Sequence, residues 1–305
     1  MMGETDAGTL IANRYRLRER TAANSGGEVW DAADLTVGRP VTLRLLRRAR
    51  SEQTRRFLAA ARLAASLHHP GIMQVYDYGQ AGVERTPFRV TESAGETTLA
   101  SLMSTVPLES AWVLDLLRQA ASALDAAHAE GLVHDHISPD GLLLVPGGAV
   151  KLSDFGLSRA AGPPAGMDPV YLAPERMRGD PATPASDLYA LGVVAWECLA
   201  GNSARREPGR ESRPLPGLPA IVGPGVAALV ADLTAIDPAD RPASAARAAG
   251  RASGLLTLPL RSAEASVSPF PGQPGPDRRA PRAEGLRETR PGSTRFTAPV
   301  GHASR

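Results

Sequence analysis

A chain of 305 residues exceeds one average domain, and with 43% apolar and 22% charged residues it can bury a substantial core. Its net charge of +2, its 4% aromatic content and its single cysteine, Cys198, argue against a base-stacking nucleic-acid module, an internal disulfide and a multi-cysteine metal cage. No apolar run approaches the ~20 residues of a membrane helix. The opening MMGETDAGTL is acidic where a secretion signal is basic and then apolar, so a cytoplasmic protein without a membrane span is expected.

Residues 1–13 read as a flexible leader. Strict alternation over Arg14 to Arg20 predicts a strand, the small residues TAANSGG a turn, EVWDAAD a second strand, and VTLRLL a third. Phe57, Leu58, Ala61, Ala64 and Leu67 recur at helical spacing between Glu52 and Leu67, and Pro70 and Gly71 end that helix. IMQVYDYG and PFRVTES predict two more strands. From about Leu108 the period changes, with a long amphipathic helix through Val113, Leu117, Leu124 and Ala127. The short strands LLLV and VKLS follow, then an all-round apolar helix in SDLYALGVVAWECLAG, which implies burial, and two further helices. Beyond about 256 the sequence is rich in Pro, Gly and Arg without periodicity and is expected to be a disordered tail, since it cannot offset its ordering entropy. The pattern is α+β: a strand-rich lobe over about 14–93, a helical lobe over about 94–255, and the tail at 256–305.

Six strings, HHPGIMQVYDYG, LDAAHAEGLVH, VKLSDFGLSRA, YLAPE, SDLYALGVVAWECLAG and DPADRP, stand in an order and spacing that resemble bacterial eukaryote-like Ser/Thr protein kinases over about residues 10–255. The resemblance implies a bilobal kinase fold with ATP and Mg²⁺ between the lobes. It makes Asp154 of DFG a Mg²⁺ ligand, Thr91 the gatekeeper, and Glu92 and Ala94 the backbone that meets adenine. Glu175 and Arg241 resemble the family's buried ion pair, and Asp187 the helix carboxylate that anchors the catalytic loop.

The same comparison exposes departures. The glycine-rich loop keeps Gly27 and Val29 but has Ala22 and Asn24 at its first glycine positions. Arg44 stands where the family's phosphate-gripping lysine belongs, and a guanidinium is no neutral exchange for an ammonium. Ala60 takes the place of the helix glutamate that orients that lysine. In HDHISPDG, His136 replaces the base aspartate, Ser138 the catalytic-loop lysine and Gly141 the metal-binding asparagine, while Asp135 replaces the arginine that meets a phosphorylated activation loop. The segment from Arg159 to Leu172 contains neither Ser nor Thr. Asp135 and Asp140 carry the family's base-to-metal-ligand spacing one residue early, which leaves an active kinase with relocated carboxylates as the alternative. Lys151, the only lysine, is expected to point outward from its strand, and Cys198 to lie in the core. A catalytically impaired pseudokinase is the reading, with another protein as partner (a kinase, a regulator or an envelope component); whether ATP and Mg²⁺ bind is left open.

Overall fold

Apolar residues at every second position turn the first ninety residues of the computed structural model into an antiparallel sheet with one greasy face. The structure describes residues 6–24, 27–47, 49–93, 97–103, 108–155, 168–201 and 215–257; Ala94, most of the activation segment and nearly all of the tail lie outside them. Six strands, β1 (Leu10–Ile11), β2 (Tyr15–Asn24), β3 (Gly27–Asp34), β4 (Arg39–Leu45), β5 (Val75–Ala81) and β6 (Thr86–Glu92), pair in the order β1-β2-β3-β4-β6-β5. Tyr15, Leu17, Trp30, Ala32, Val41, Leu43, Leu45, Phe88 and Val90 fill the core on one face. Val29, Thr42, Arg44, Arg89 and Thr91 lie on the other, along the cleft between the lobes.

Two expectations need correction. Part of the leader is built into the sheet: β1 pairs with β2, and the Gly8 N–H donates to the Leu17 carbonyl at 2.8 Å. Strand β2 also runs further into the small residues that were expected to turn. Irregularities in register between Leu17 and Glu19 and between Arg20 and Ala22 let β2 continue to Asn24, which pairs with Gly27. Gly27 has φ +113°, and a Cβ there would lie 2.2 Å from the Leu45 carbonyl oxygen. Close approach of β3 to β4 therefore demands glycine whatever the loop binds.

Helix α1 (Ser51–Ser66) starts where the Arg50 N–H donates to Gln53 Oε1 at 2.9 Å, and it buries Phe57, Ala60, Ala61 and Ala64. The helical lobe comprises α2 (Leu99–Met103), α3 (Ser110–Ala129), α4 (Pro174–Met177), α5 (Pro184–Ala200), α6 (Pro224–Leu233) and α7 (Ala245–Thr257), with the hairpin β7 (Leu142–Val145) and β8 (Ala149–Leu152) at the cleft. Helix α7 carries the fold to Thr257, one residue past the expected start of the tail. Thr183 and Ser186 cap α5 reciprocally, and every residue from Ser186 to Cys198 is buried. Gly192 lets α5 press on α6, since a Cβ there would sit 2.7 Å from the Leu233 Cβ. Cys198 is buried, and that burial pushes its thiol pKa up, away from reactivity.

Glu175 and Arg241 tie this lobe together. The guanidinium donates to both carboxylate oxygens at 2.6 and 2.8 Å and to the carbonyls of Ala235, Ala185 and Ile236. Burial alone would raise the Glu175 carboxyl, but the hydrogen bond from Arg241 outweighs it and brings the pKa below the ordinary value. With donors and acceptors this well matched, the pair escapes the usual desolvation deficit of a buried charge.

Candidate functional site

The cleft between sheet and helices encloses about 1130 Å³. Its floor is the segment from His134 to Gly141, and α5 sets that segment's path. The Asp187 carboxylate accepts the backbone N–H groups of His134 and Asp135, each at 2.8 Å, and also meets His128 Nε2 at 2.8 Å. Asp135 turns the chain at φ +59°, a conformation that aspartate tolerates better than most residues. Its carboxylate then leaves the cleft and takes two hydrogen bonds from Arg176 of α4, at 2.9 and 3.1 Å.

His136, Ser138 and Gly141 all line the cleft. Burial pushes the His136 imidazole below its ordinary pKa, so it is neutral at pH 7. Gly141 offers no side-chain donor, and its carbonyl accepts the Ser153 N–H at 2.9 Å. Asp140 is exposed on the 3₁₀ turn Pro139–Gly141. Thr91 is buried against the cleft, while the Glu92 N–H donates to the Gln74 carbonyl at 3.0 Å. Ala60 is buried in α1.

Lys151 does not point out to solvent. Its Nζ lies 2.6 Å from Glu92 Oε1, and only 20% of its side chain is exposed. Strand β8 bridges to the segment just before β5, through Ile72 and Leu152, and the ammonium beside it meets a carboxylate of β6.

The end of the cleft beside β4 and β6 is built around Asp154, whose φ of +66° presents the side chain toward the sheet. Arg44 Nη2 lies 2.6 Å from one carboxylate oxygen and Arg89 Nη2 lies 2.7 Å from the other. Burial would raise this carboxyl, but Arg44 and then Arg89 override it and hold the pKa at about 2. Burial lowers Arg89 to about 10, so it too stays charged at neutral pH.

Arg89 escaped the sequence reading, although a signal existed: alternation along β6 puts it on the same face as Thr91. Arg44 and Arg89 stand directly opposite each other in the β4–β6 ladder. Like charges so placed repel unless an anion sits between them.

Magnesium fits this arrangement poorly. Both oxygens of Asp154 are hydrogen-bonded to guanidinium groups, and position 141 has no side chain to share a cation. Among the described residues, no group of three or more His, Cys, Asp or Glu is arranged to hold a metal.

A curled antiparallel sheet with one long helix, joined through a cleft to a helical lobe whose DFG aspartate faces that sheet, defines the protein kinase class of fold. The protein kinase domain family matches residues 24–214, and the chain belongs to that family. It is 37% identical over 290 residues to the serine/threonine-protein kinase PknA of Mycobacterium tuberculosis, covering 88% of this chain and 67% of the relative. It is 34% identical over 261 residues to PknL of the same organism, covering 77% and 64%. Identity is 32% over 292 residues to a probable serine/threonine-protein kinase, pknA2, of Bifidobacterium longum, covering 86% and 38%. Among the described residues, no helix is long and apolar enough to cross a membrane.

Proposed function

We propose that this protein is a catalytically impaired member of the kinase family, a pseudokinase that acts by binding another protein. The observation that carries this reading is the double salt bridge of Asp154 to Arg44 and Arg89. Phosphoryl transfer depends on positioning and charge: a carboxylate to hold Mg²⁺, a base for the acceptor hydroxyl, and cations on the γ-phosphate. Here the carboxylate serves as a counter-ion, the base position holds a neutral imidazole, and positions 138 and 141 bring neither charge nor metal ligand. Loss of a general base alone costs about 10²–10⁴-fold in rate.

An active kinase with relocated carboxylates would need Asp135 to give up both hydrogen bonds from Arg176 and turn into the cleft. Such a kinase would act on Ser or Thr, as the relatives' names suggest. Incubation of the full chain with radiolabelled ATP, Mg²⁺ and generic acceptor proteins tests the reading. Incorporation no higher than that of Asp154→Asn supports it. Robust labelling that Asp154→Asn abolishes, or that Asp135→Ala and Asp140→Ala abolish without loss of thermal stability, overturns it.

A further inference from the structure

The charges at the Asp154 end of the cleft do not balance. Two guanidinium groups face one carboxylate, and the ladder sets their backbones directly opposite each other on the cleft face of the sheet. Arg89 is 3% exposed, yet it lines the cleft, and its Nε is a buried donor without a hydrogen-bond partner. A buried donor left unmade is costly, and it marks a place where an acceptor would be stabilised. Asp154 is the carboxylate hydrogen-bonded to both guanidinium groups, while α1 presents Ala60 and Ala64 on its buried face where the resemblance expects a glutamate. The carboxylate that acts on Arg89 is Asp154.

We propose that the Asp154 end of the cleft is a metal-independent anion site, in which a phosphate-bearing anion takes the place of the Asp154 carboxylate between Arg44 and Arg89. A tetrahedral phosphate group offers more acceptor oxygens than a carboxylate. It can take up the forks of both arginines and the spare Arg89 donor at once. The exchange forms and breaks hydrogen bonds only. Asp154 bridges the sheet lobe to the loop after β8, so its displacement releases one ionic tie between the lobes and couples anion binding to lobe movement. The ligand chemistry is that of an uncomplexed polyphosphate, either free or carried by a nucleotide. Magnesium acts as an antagonist here, because it neutralises the oxygens that the arginines recognise. This inference rests on the reading of Asp154 as a counter-ion given above.

Calorimetric titration of the full chain tests it, with ATP, inorganic tripolyphosphate and adenosine each added in EDTA and again in excess MgCl₂. ATP in EDTA is expected to bind about tenfold more tightly than in MgCl₂, the scale of one charge-assisted hydrogen bond. Equal affinities for tripolyphosphate and ATP assign the site to the anion alone, whereas tighter ATP adds a contribution from the base; either outcome supports the proposal. Asp154→Asn removes the competing carboxylate and is expected to tighten binding about tenfold. Arg44→Gln weakens it by a similar factor. Arg44 is the less buried of the two arginines, so this variant keeps the test sound if Arg89→Gln fails to fold. The proposal is overturned by binding that requires Mg²⁺, by weaker binding in Asp154→Asn, or by no heat from either polyphosphate at millimolar concentration in EDTA. Mg²⁺-dependent binding without transfer would sink this site while leaving the pseudokinase reading intact; transfer that depends on Asp154 would sink that reading.

Discussion

Two ionic centres, about as far apart in design as in sequence, show how differently one chain has treated its scaffold and its cleft. At Glu175–Arg241 a single carboxylate meets a single guanidinium, the guanidinium also donates to three backbone carbonyls, and segments of the helical lobe far apart in sequence are pinned together. At Asp154 one carboxylate serves two guanidinium groups and one buried donor goes unanswered. The first centre is complete without any ligand. The second leaves a buried donor unmade, which on the proposal above a suitable anion would satisfy. Selection for a folded kinase architecture explains the first centre; it does not by itself explain the second.

The sharpest way to break this contrast is to damage the complete centre. Arg241→Ala leaves Glu175 buried and unpaired, and is expected to cost about 3–5 kcal/mol of unfolding free energy by urea titration. A loss near zero would show that the helical lobe does not depend on that pair. Next in size is Gly192→Val, which forces the α5–α6 contact apart and is expected to cost roughly 2–3 kcal/mol. An unchanged urea midpoint would mean that the two helices slide freely to make room.

Smaller still is Asp154→Asn, which leaves Arg44 and Arg89 facing each other. Because Asp154 is partly exposed, with 23% of its side chain open, the expected loss is only about 1–2 kcal/mol, and added phosphate should restore part of it. A variant as stable as the parent would remove Asp154 from the account as a counter-ion.

The gentlest perturbation is pH. Burial depresses His134 and His136 below the ordinary imidazole value of 6.5, so below that pH the unfolded chain takes up protons that the folded chain refuses. Asp154, depressed from 3.8 to about 2, adds stability that is present above pH 3.8 and lost as the pH falls toward 2. Thermal unfolding temperatures should therefore decline from about pH 6.5 downward and fall faster below about pH 4. His136→Asn should flatten the upper part of that decline, and a profile identical to the parent's would assign the effect elsewhere.

Much of the fold was legible because its signals are local. Alternation announced β2, β3 and β4, helical spacing announced α1 and α3, and the apolar character of α5 announced its burial. The change of period near Leu108 marked the two lobes, and the order of six strings carried the family resemblance. Where local signals competed, the reading slipped: small residues after Arg20 looked like a turn, yet irregularities in register carried β2 onward to Asn24.

The substitutions at 44, 60, 136, 138 and 141 were visible by position, but their consequence was not. Arg89 reaches Asp154 across 65 positions of sequence, and only the pairing of β4 with β6 brings its guanidinium beside that of Arg44. Lys151 departs from its expected outward direction because its partner Glu92 lies 59 residues away, on a strand of the other sheet. Charge pairing over such distances depends on register, which no short window contains.

Paramagnetic Mn²⁺, a stand-in for Mg²⁺, reads the state of Asp154 most directly. Electron spin resonance of Mn²⁺ with ATP, recorded with the full chain and with Asp154→Asn, should show no protein-bound ion whose environment depends on residue 154. A bound-ion spectrum present in the parent chain and absent from Asp154→Asn would make Asp154 a metal ligand and contradict its role as the counter-ion of Arg44 and Arg89.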